Sequence, residues 1–112
     1  MSIIRAIPRT ETQEWIDRFF DEHTERSFPL RGFPRDLNEG AWLYLNYQGR
    51  IIGRCRILRL ERVNRDIPVG SQTQRHPIQS NCRVIVQCPA EPAPREIPMR
   101  GRQGFQYTND LW

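Results

Sequence analysis

The pattern of apolar and polar positions is clearest between residues 41 and 60. Residues 41–47, AWLYLNY, alternate aromatic and aliphatic side chains, and residues 50–60, RIIGRCRILRL, interleave arginines with branched aliphatic side chains. The Gln48–Gly49 step between the two runs is a two-residue turn of the kind that joins antiparallel strands. These residues therefore predict a β-hairpin.

The second strand of this hairpin is expected to have two different faces, because successive side chains on a strand point to opposite sides of the sheet. One face would carry Ile51, Gly53, Cys55 and Ile57, and the other would carry Ile52, Arg54, Arg56 and Leu58. Strict alternation fails between residues 57 and 60, which indicates a bulge or a bend. The glycine at position 53 indicates a similar irregularity, or close approach by another backbone or a ligand.

The N-terminal pattern predicts a strand followed by a helix. Residues 2–7, SIIRAI, alternate briefly and end at a proline, as a short strand does. Thr10 is a candidate N-cap, because Gln13 three residues later completes a capping box. The predicted helix runs from Glu11 to His23, and its apolar stripe comprises Trp15, Ile16, Phe19, Phe20 and His23. This position favours a packed or capping histidine over a catalytic one.

The rest of the chain predicts loops and short strands. Two Phe-Pro steps interrupt any period in residues 27–40, which we interpret as a loop. Residues 61–82 are polar and predict a long connection, whereas residues 82–88, CRVIVQC, predict a strand. Four prolines make residues 89–98 extended and semi-rigid, and FQY at residues 105–107 predicts a short closing strand.

Five or six strands and one early helix predict an α+β, mostly-β fold. Short antiparallel connections and a largely apolar face favour a small β-barrel over an open sheet. The sequence has no internal repeat and no linker long enough to divide it, so residues 1–112 predict a single domain.

Composition narrows the class of protein further. Hydrophobic residues make up 38% of the chain, and no stretch approaches the ~18 apolar residues of a membrane helix. The first residues lack the apolar core of a secretion signal. Three cysteines without CxxC spacing argue against a disulfide framework and against a zinc site. We therefore expect a cytoplasmic protein with no metal, no cofactor and no membrane partner, and the oligomeric state stays open.

All 17 basic residues are arginine, and the chain contains no lysine. GC-rich codon use is one explanation, but the chemical consequences are the same in either case. Arginine presents a planar fork that suits bidentate contact with phosphate, carboxylate or a base edge. Together with a net charge of +4 and a pI near 9.5, this favours an anionic partner.

The candidate nucleic-acid site combines arginine pairs with aromatic rings. If the hairpin register places Trp42 and Tyr44 beside the arginines of the second strand, forks for phosphates lie next to rings on which bases can stack. The predicted nucleic-acid-binding residues are Arg31, Arg35, Trp42, Tyr44, Arg54, Arg56, Arg100 and Arg102.

Two non-enzymatic alternatives to nucleic-acid binding stay open. In the first, the two rings fill the barrel and the arginines pair with Glu39, Glu61 and Asp66 across a solvated surface, where each pair contributes only ~0–1 kcal/mol. In the second, the domain binds another protein through the proline-rich residues 89–98 or through an exposed strand edge.

Candidates for catalysis are few, so we expect binding rather than turnover and assign no catalytic residue. His76 with Glu39 or Glu61 would suit a metal-independent ribonuclease or nucleoside hydrolase. Cys82 or Cys88 with His76 would form a thiolate pair. The sequence has neither a G-x-S-x-G nucleophile elbow nor a G-x-G-x-x-G phosphate loop.

The order of these elements resembles the PUA-like superfamily, specifically its small ASCH and EVE-type domains. The resemblance covers residues 3–60 in element order, ending in EGAWLYLNYQGRIIGRCRI, and residues 101–107 in the closing GRQGFQY. It implies a small β-barrel that binds RNA or modified DNA bases in a basic cleft between the barrel and the inserted helix. The enzymatic members use a lysine near that helix, and this lysine-free chain departs from them, because arginine does not deprotonate in proteins.

Overall fold

A computed structural model describes residues 1–30, 32–37, 40–62, 82–101 and 105–112. The elements in chain order are β1 (Ser2–Ile7), α1 (Gln13–Asp21), β2 (Glu25–Leu30), β3 (Trp42–Tyr47), β4 (Arg50–Arg62), β5 (Cys82–Pro98) and β6 (Phe105–Thr108). The six strands form one sheet in the order β2-β5-β4-β3-β1-β6. β1 and β3 are parallel, and the other neighbours are antiparallel. The fold is mostly β, and the sheet curls into a half-barrel compatible with the predicted small barrel.

The two faces of the sheet carry separate apolar clusters. The inner cluster lies on the face covered by α1, and it comprises Ile3, Ile7, Phe19, Phe28, Leu30, Leu43, Leu45, Cys55, Cys82, Val84, Val86, Cys88 and Ala90. The outer cluster lies on the opposite face and is built on Ile4, Tyr44 and Ile51. Adjacent residues of β1 belong to different clusters, as alternation along a strand requires.

The predicted hairpin of β3 and β4 is confirmed. Gln48 and Gly49 both have positive φ, 52° and 81°, as a two-residue turn that matches the twist of the strands requires. The close approach predicted at Gly53 is also confirmed, because a Cβ there would lie 2.8 Å from both the Glu91 carbonyl oxygen and the Phe20 ring.

The predicted faces of β4 are wrong at its start. Leu45 pairs with Gly53 and Asn46 pairs with Ile51, so Ile52 is an extra residue of a β-bulge. The bulge reverses the alternation, and Ile51 therefore packs in the outer cluster while Ile52 packs against the inner one.

The helix is shorter than its periodicity predicts. The Glu11 amide donates to the Pro8 carbonyl in a preceding turn, so the N-cap is Thr12, whose hydroxyl accepts from the Trp15 amide at 3.2 Å. Thr10 is not the cap. Extended backbone at residue 22 ends the helix, and His23 is consequently exposed rather than part of the apolar stripe.

Residues 25–30, which the sequence predicted to enter a loop at position 27, form the edge strand β2. Phe28 pairs with Val84 and is buried, and proline at position 29 is tolerated because an edge strand has one unpaired side. The proline-rich residues 89–98 are extended as predicted, but they belong to β5 and pair with β4 as far as Pro98. In the described ranges, no helix is long and apolar enough to cross a membrane.

Candidate functional site

Four of the predicted site residues meet on the outer face of the sheet. Trp42 pairs with Arg56 and Tyr44 pairs with Arg54 in the β3–β4 register. The Arg54 guanidinium carbon lies 3.8 Å from the centre of the Trp42 ring, and that of Arg56 lies 3.7 Å from it. With Glu91 and Trp112, these four residues form what we term the outer cluster site. Trp42 and Tyr44 pack in the outer cluster rather than the inner one, and Tyr44 is fully buried there.

The guanidinium of Arg54 is surrounded by protein partners. Its Nε and Nη2 donate to the Glu91 carboxylate at 3.1–3.2 Å, and its Nη1 donates to the main-chain oxygen of Trp112. The Trp112 ring lies 4.7 Å away, and only 11% of the arginine side chain is exposed. A hydrogen bond from the Trp112 indole, assisted by Arg54, holds the pKa of Glu91 below its usual value.

Tyr44 lies beneath the C-terminal segment and is fully buried. Its ring makes an edge contact with the Trp112 ring at 5.2 Å, and its hydroxyl accepts from the Leu111 amide at 2.8 Å. A nucleobase therefore cannot stack on Tyr44 in this conformation. Arg56 is exposed, and it donates to the Gly40 carbonyl.

The other predicted residues are only partly placed. Arg35 and Arg100 are exposed, and the predicted convergence of the three arginine pairs stays a prediction. Several residues lie outside the described ranges: Arg31, Arg102, Glu39, Asp66 and His76. Glu61 approaches Arg59 at 3.9 Å, and both side chains are about half exposed.

A cavity of about 350 Å³ lies on the other side of the molecule, between α1, β1 and the edge strand β2. Its lining comprises Arg5, Pro8, Glu11, Trp15, Phe19, Arg26, Ser27, Phe28 and Pro29. The cavity lies beside the helix, and the basic binding cleft between barrel and helix stays a prediction. None of the predicted binding residues that the structure describes belongs to the lining.

Arg5 projects from β1 between two residues of the inner cluster, Ile3 and Ile7. Its guanidinium carbon lies 5.0 Å from the centre of the Phe28 ring, and burial lowers its pKa. No hydrogen bond or ion pair joins this guanidinium to any residue in the described part of the chain. A largely desolvated cation therefore faces the cavity without an anion from the described residues.

Arg26 provides the second guanidinium of the cavity. It lies 4.4 Å from the centre of the Phe19 ring, and its Nη2 donates to Glu22 at 3.2 Å. Its Nε is buried and has no hydrogen-bond partner among the described residues. The two rings beneath the arginines, Phe19 and Phe28, stack at 5.5 Å with an angle of 11° between their planes.

The three cysteines are buried and form no disulfide with one another. A hydrogen bond between the thiols of Cys55 and Cys88 lowers the pKa of Cys88 and raises that of Cys55.

No group of three or more metal-ligating side chains occurs in the described ranges. The cavity therefore offers guanidinium, carboxylate and aromatic groups rather than a metal centre.

Comparison with protein-family models, with curated proteins and with solved structures found no match. The functional interpretation consequently depends on the side chains themselves. Arg5 and Arg26 were missed at the sequence level, although both occupy inward-facing strand positions and Arg5 lies between apolar neighbours. An arginine at such a position is the one sequence feature that could have revealed them.

Proposed function

We propose that the protein is a nucleic-acid-binding domain and that one nucleotide of RNA or of modified DNA occupies the cavity between α1 and the half-barrel. The observation that carries this proposal is the desolvated guanidinium of Arg5, which no carboxylate of the described residues neutralises. A buried charge is costly unless it is paired, and a phosphate oxygen in the cavity would supply the missing partner.

The second guanidinium supports the same ligand. The unpartnered Nε of Arg26 is one more donor available to an anion. Guanidinium groups bind phosphate through short, charge-assisted hydrogen bonds in a fixed fork geometry. Two such groups beside one cavity favour a phosphate-bearing ligand over a neutral one.

The size and the walls of the cavity suit a nucleotide. Its volume of about 350 Å³ lies within the usual range of small-ligand pockets, about 300–1,000 Å³, and suits one nucleotide better than several. Trp15 lines the cavity and is only partly buried, so its ring is available to stack on a base.

We further propose that the chain is a PUA-like domain related to the small ASCH and EVE-type members. In support, a strand, one helix and a curled sheet follow in the expected order, and the cavity lies beside the helix. Binding through a proline-rich peptide is less favoured, because residues 89–98 are engaged in β5.

The test is fluorescence anisotropy with labelled single-stranded RNA, single-stranded DNA, and methylated and unmethylated duplexes at two salt concentrations. We expect salt-sensitive binding, because phosphate contacts release counterions. Arg5→Met should weaken binding about ten- to hundredfold, the equivalent of about 1.5–3 kcal/mol for a charge-assisted contact.

The matched control is Arg18→Met, which removes an exposed arginine on α1 and should change affinity less than twofold. A folded Arg5→Met protein that binds like the parent would overturn the cavity assignment. If Arg56→Met abolishes binding and Arg5→Met does not, the nucleic acid lies on the outer cluster site instead. No binding to any oligonucleotide at low salt would overturn the function itself.

A further inference from the structure

Glu11 is the remaining charged group of the cavity lining, and its backbone is held in place from both sides. Its amide donates to the Pro8 carbonyl at 3.1 Å, and its own carbonyl accepts from the Tyr47 hydroxyl at 3.1 Å. The residue is partly buried in the turn between β1 and α1. The turn therefore places Glu11 in the cavity wall on a fixed backbone.

The carboxylate of Glu11 has no hydrogen bond or ion pair with any described residue. The cavity thus combines two guanidinium groups, which only donate hydrogen bonds, with one carboxylate, which only accepts them. A ligand that satisfies all three must carry acceptors on one side and donors on another. A phosphate alone satisfies the guanidinium groups but repels the carboxylate.

We propose that the cavity selects guanine, so that the nucleotide it binds is an unpaired guanine nucleotide; this inference rests on the proposed function. Guanine presents N1–H and N2–H as two parallel donors on its Watson–Crick edge, which match the two oxygens of the Glu11 carboxylate. Its O6 and N7, like the phosphate oxygens, are acceptors that suit arginine.

The other bases fit this set of groups less well. Adenine places the N1 lone pair on the same edge, and uracil places two carbonyl oxygens beside its single N–H. Cytosine has one amino donor next to the N3 acceptor. Each of these edges puts a lone pair against the carboxylate, and this repulsion weakens binding. Because the Watson–Crick edge is used, guanine in a duplex is excluded.

The inference is tested by titrating the 112-residue chain with the monophosphates of guanosine, inosine, adenosine, cytidine and uridine while following tryptophan fluorescence. We expect GMP to bind about tenfold more tightly than AMP, CMP or UMP. Inosine monophosphate lacks the N2 amino group and should fall between these limits.

The decisive variant is Glu11→Gln, compared with Glu14→Gln, which changes an exposed glutamate of α1 outside the cavity lining. Glu11→Gln should reduce the guanine preference to threefold or less. Its affinity for AMP should stay equal or rise, because a charge that repels phosphate is removed. Glu14→Gln should keep both the preference and the affinity of the parent protein.

The outcomes separate this inference from the function on which it rests. If all nucleotides bind equally, or if Glu11→Gln keeps the tenfold preference, guanine selection is overturned while nucleotide binding stands. If no nucleotide and no oligonucleotide binds, both are overturned. A single-stranded oligonucleotide with one guanine distinguishes a guanine in nucleic acid from a free nucleotide. Binding of this oligonucleotide indicates that the ligand is nucleic acid. Binding of GMP but not of the oligonucleotide supports guanine selection and contradicts nucleic-acid binding.

Discussion

The outer cluster site and the cavity both hold guanidinium groups over aromatic rings, and they differ in what completes the hydrogen bonding of the arginine. At the outer cluster site, Arg54 contacts the Glu91 carboxylate, a main-chain oxygen and two indole rings. At the cavity, Arg5 contacts the Phe28 ring and has no anion from the described residues. Under the proposed function, the same pair of residue types thus serves the fold in one region and a ligand in the other.

The comparison shows why an arginine–aromatic pattern does not by itself indicate a binding surface. A guanidinium whose donors are satisfied by protein groups gains little from a phosphate, because those contacts must first be broken. A guanidinium that has lost water without gaining an anion favours any ligand that supplies one. Arg54 is therefore expected to contribute to stability, whereas under the proposed function Arg5 contributes to affinity at a cost in stability.

Removing Arg54 should have the largest effect on stability. We expect Arg54→Gln to lower the free energy of unfolding by about 2–3 kcal/mol, somewhat less than the 3–5 kcal/mol for a fully buried pair, because the Glu91 side chain is 47% exposed. Urea denaturation measures the change. The matched variant Arg56→Gln, at an exposed position on the same strand, should cost less than about 1 kcal/mol. Equal effects of the two substitutions would contradict the distinction between satisfied and exposed arginines.

The outer cluster site was within reach of sequence reasoning because it depends on local rules. The Gln48–Gly49 turn sets the β3–β4 register at the start of the hairpin, and the bulge at Ile52 shifts it by one residue, so that Trp42 pairs with Arg56. What the sequence did not reveal is the cover over Tyr44, because the C-terminal segment that buries it is more than 60 residues away in the chain.

The cavity could not be predicted in the same way. Arg5, Glu11 and Arg26 come from β1, the following turn and β2, and they meet only because the edge strand and the helix pack on the same face of the sheet. The sequence patterns predicted both elements incorrectly: β2 was assigned to a loop, and the start of α1 was misplaced. The Phe-Pro step hid β2, and an apparent capping box displaced the start of the helix from Thr12 to Thr10.

Removing Arg5 should change stability in the opposite direction from removing Arg54. We expect Arg5→Met to raise the free energy of unfolding by about 1 kcal/mol, because an apolar side chain of similar length replaces a desolvated cation. The same urea experiment, without nucleotide, measures it. A loss of 2 kcal/mol or more would show that Arg5 is stabilised within the fold and would remove its distinction from Arg54.

The smallest expected effect is the pH dependence of the stability that the outer cluster site contributes through Glu91. The pKa of Glu91 is lowered in the folded protein, first by the Trp112 indole and then by Arg54, so its ionised form is favoured by folding. The resulting stability is fully present above the unfolded pKa of about 4.3 and is lost as the pH falls through the lower folded value. Thermal unfolding of Glu91→Gln should therefore show a shallower decline between about pH 5 and pH 2.5 than the parent protein. Parallel declines would mean that the Arg54–Glu91 contact does not favour the charged carboxylate, and Arg54 would then resemble Arg5 in lacking an effective anion.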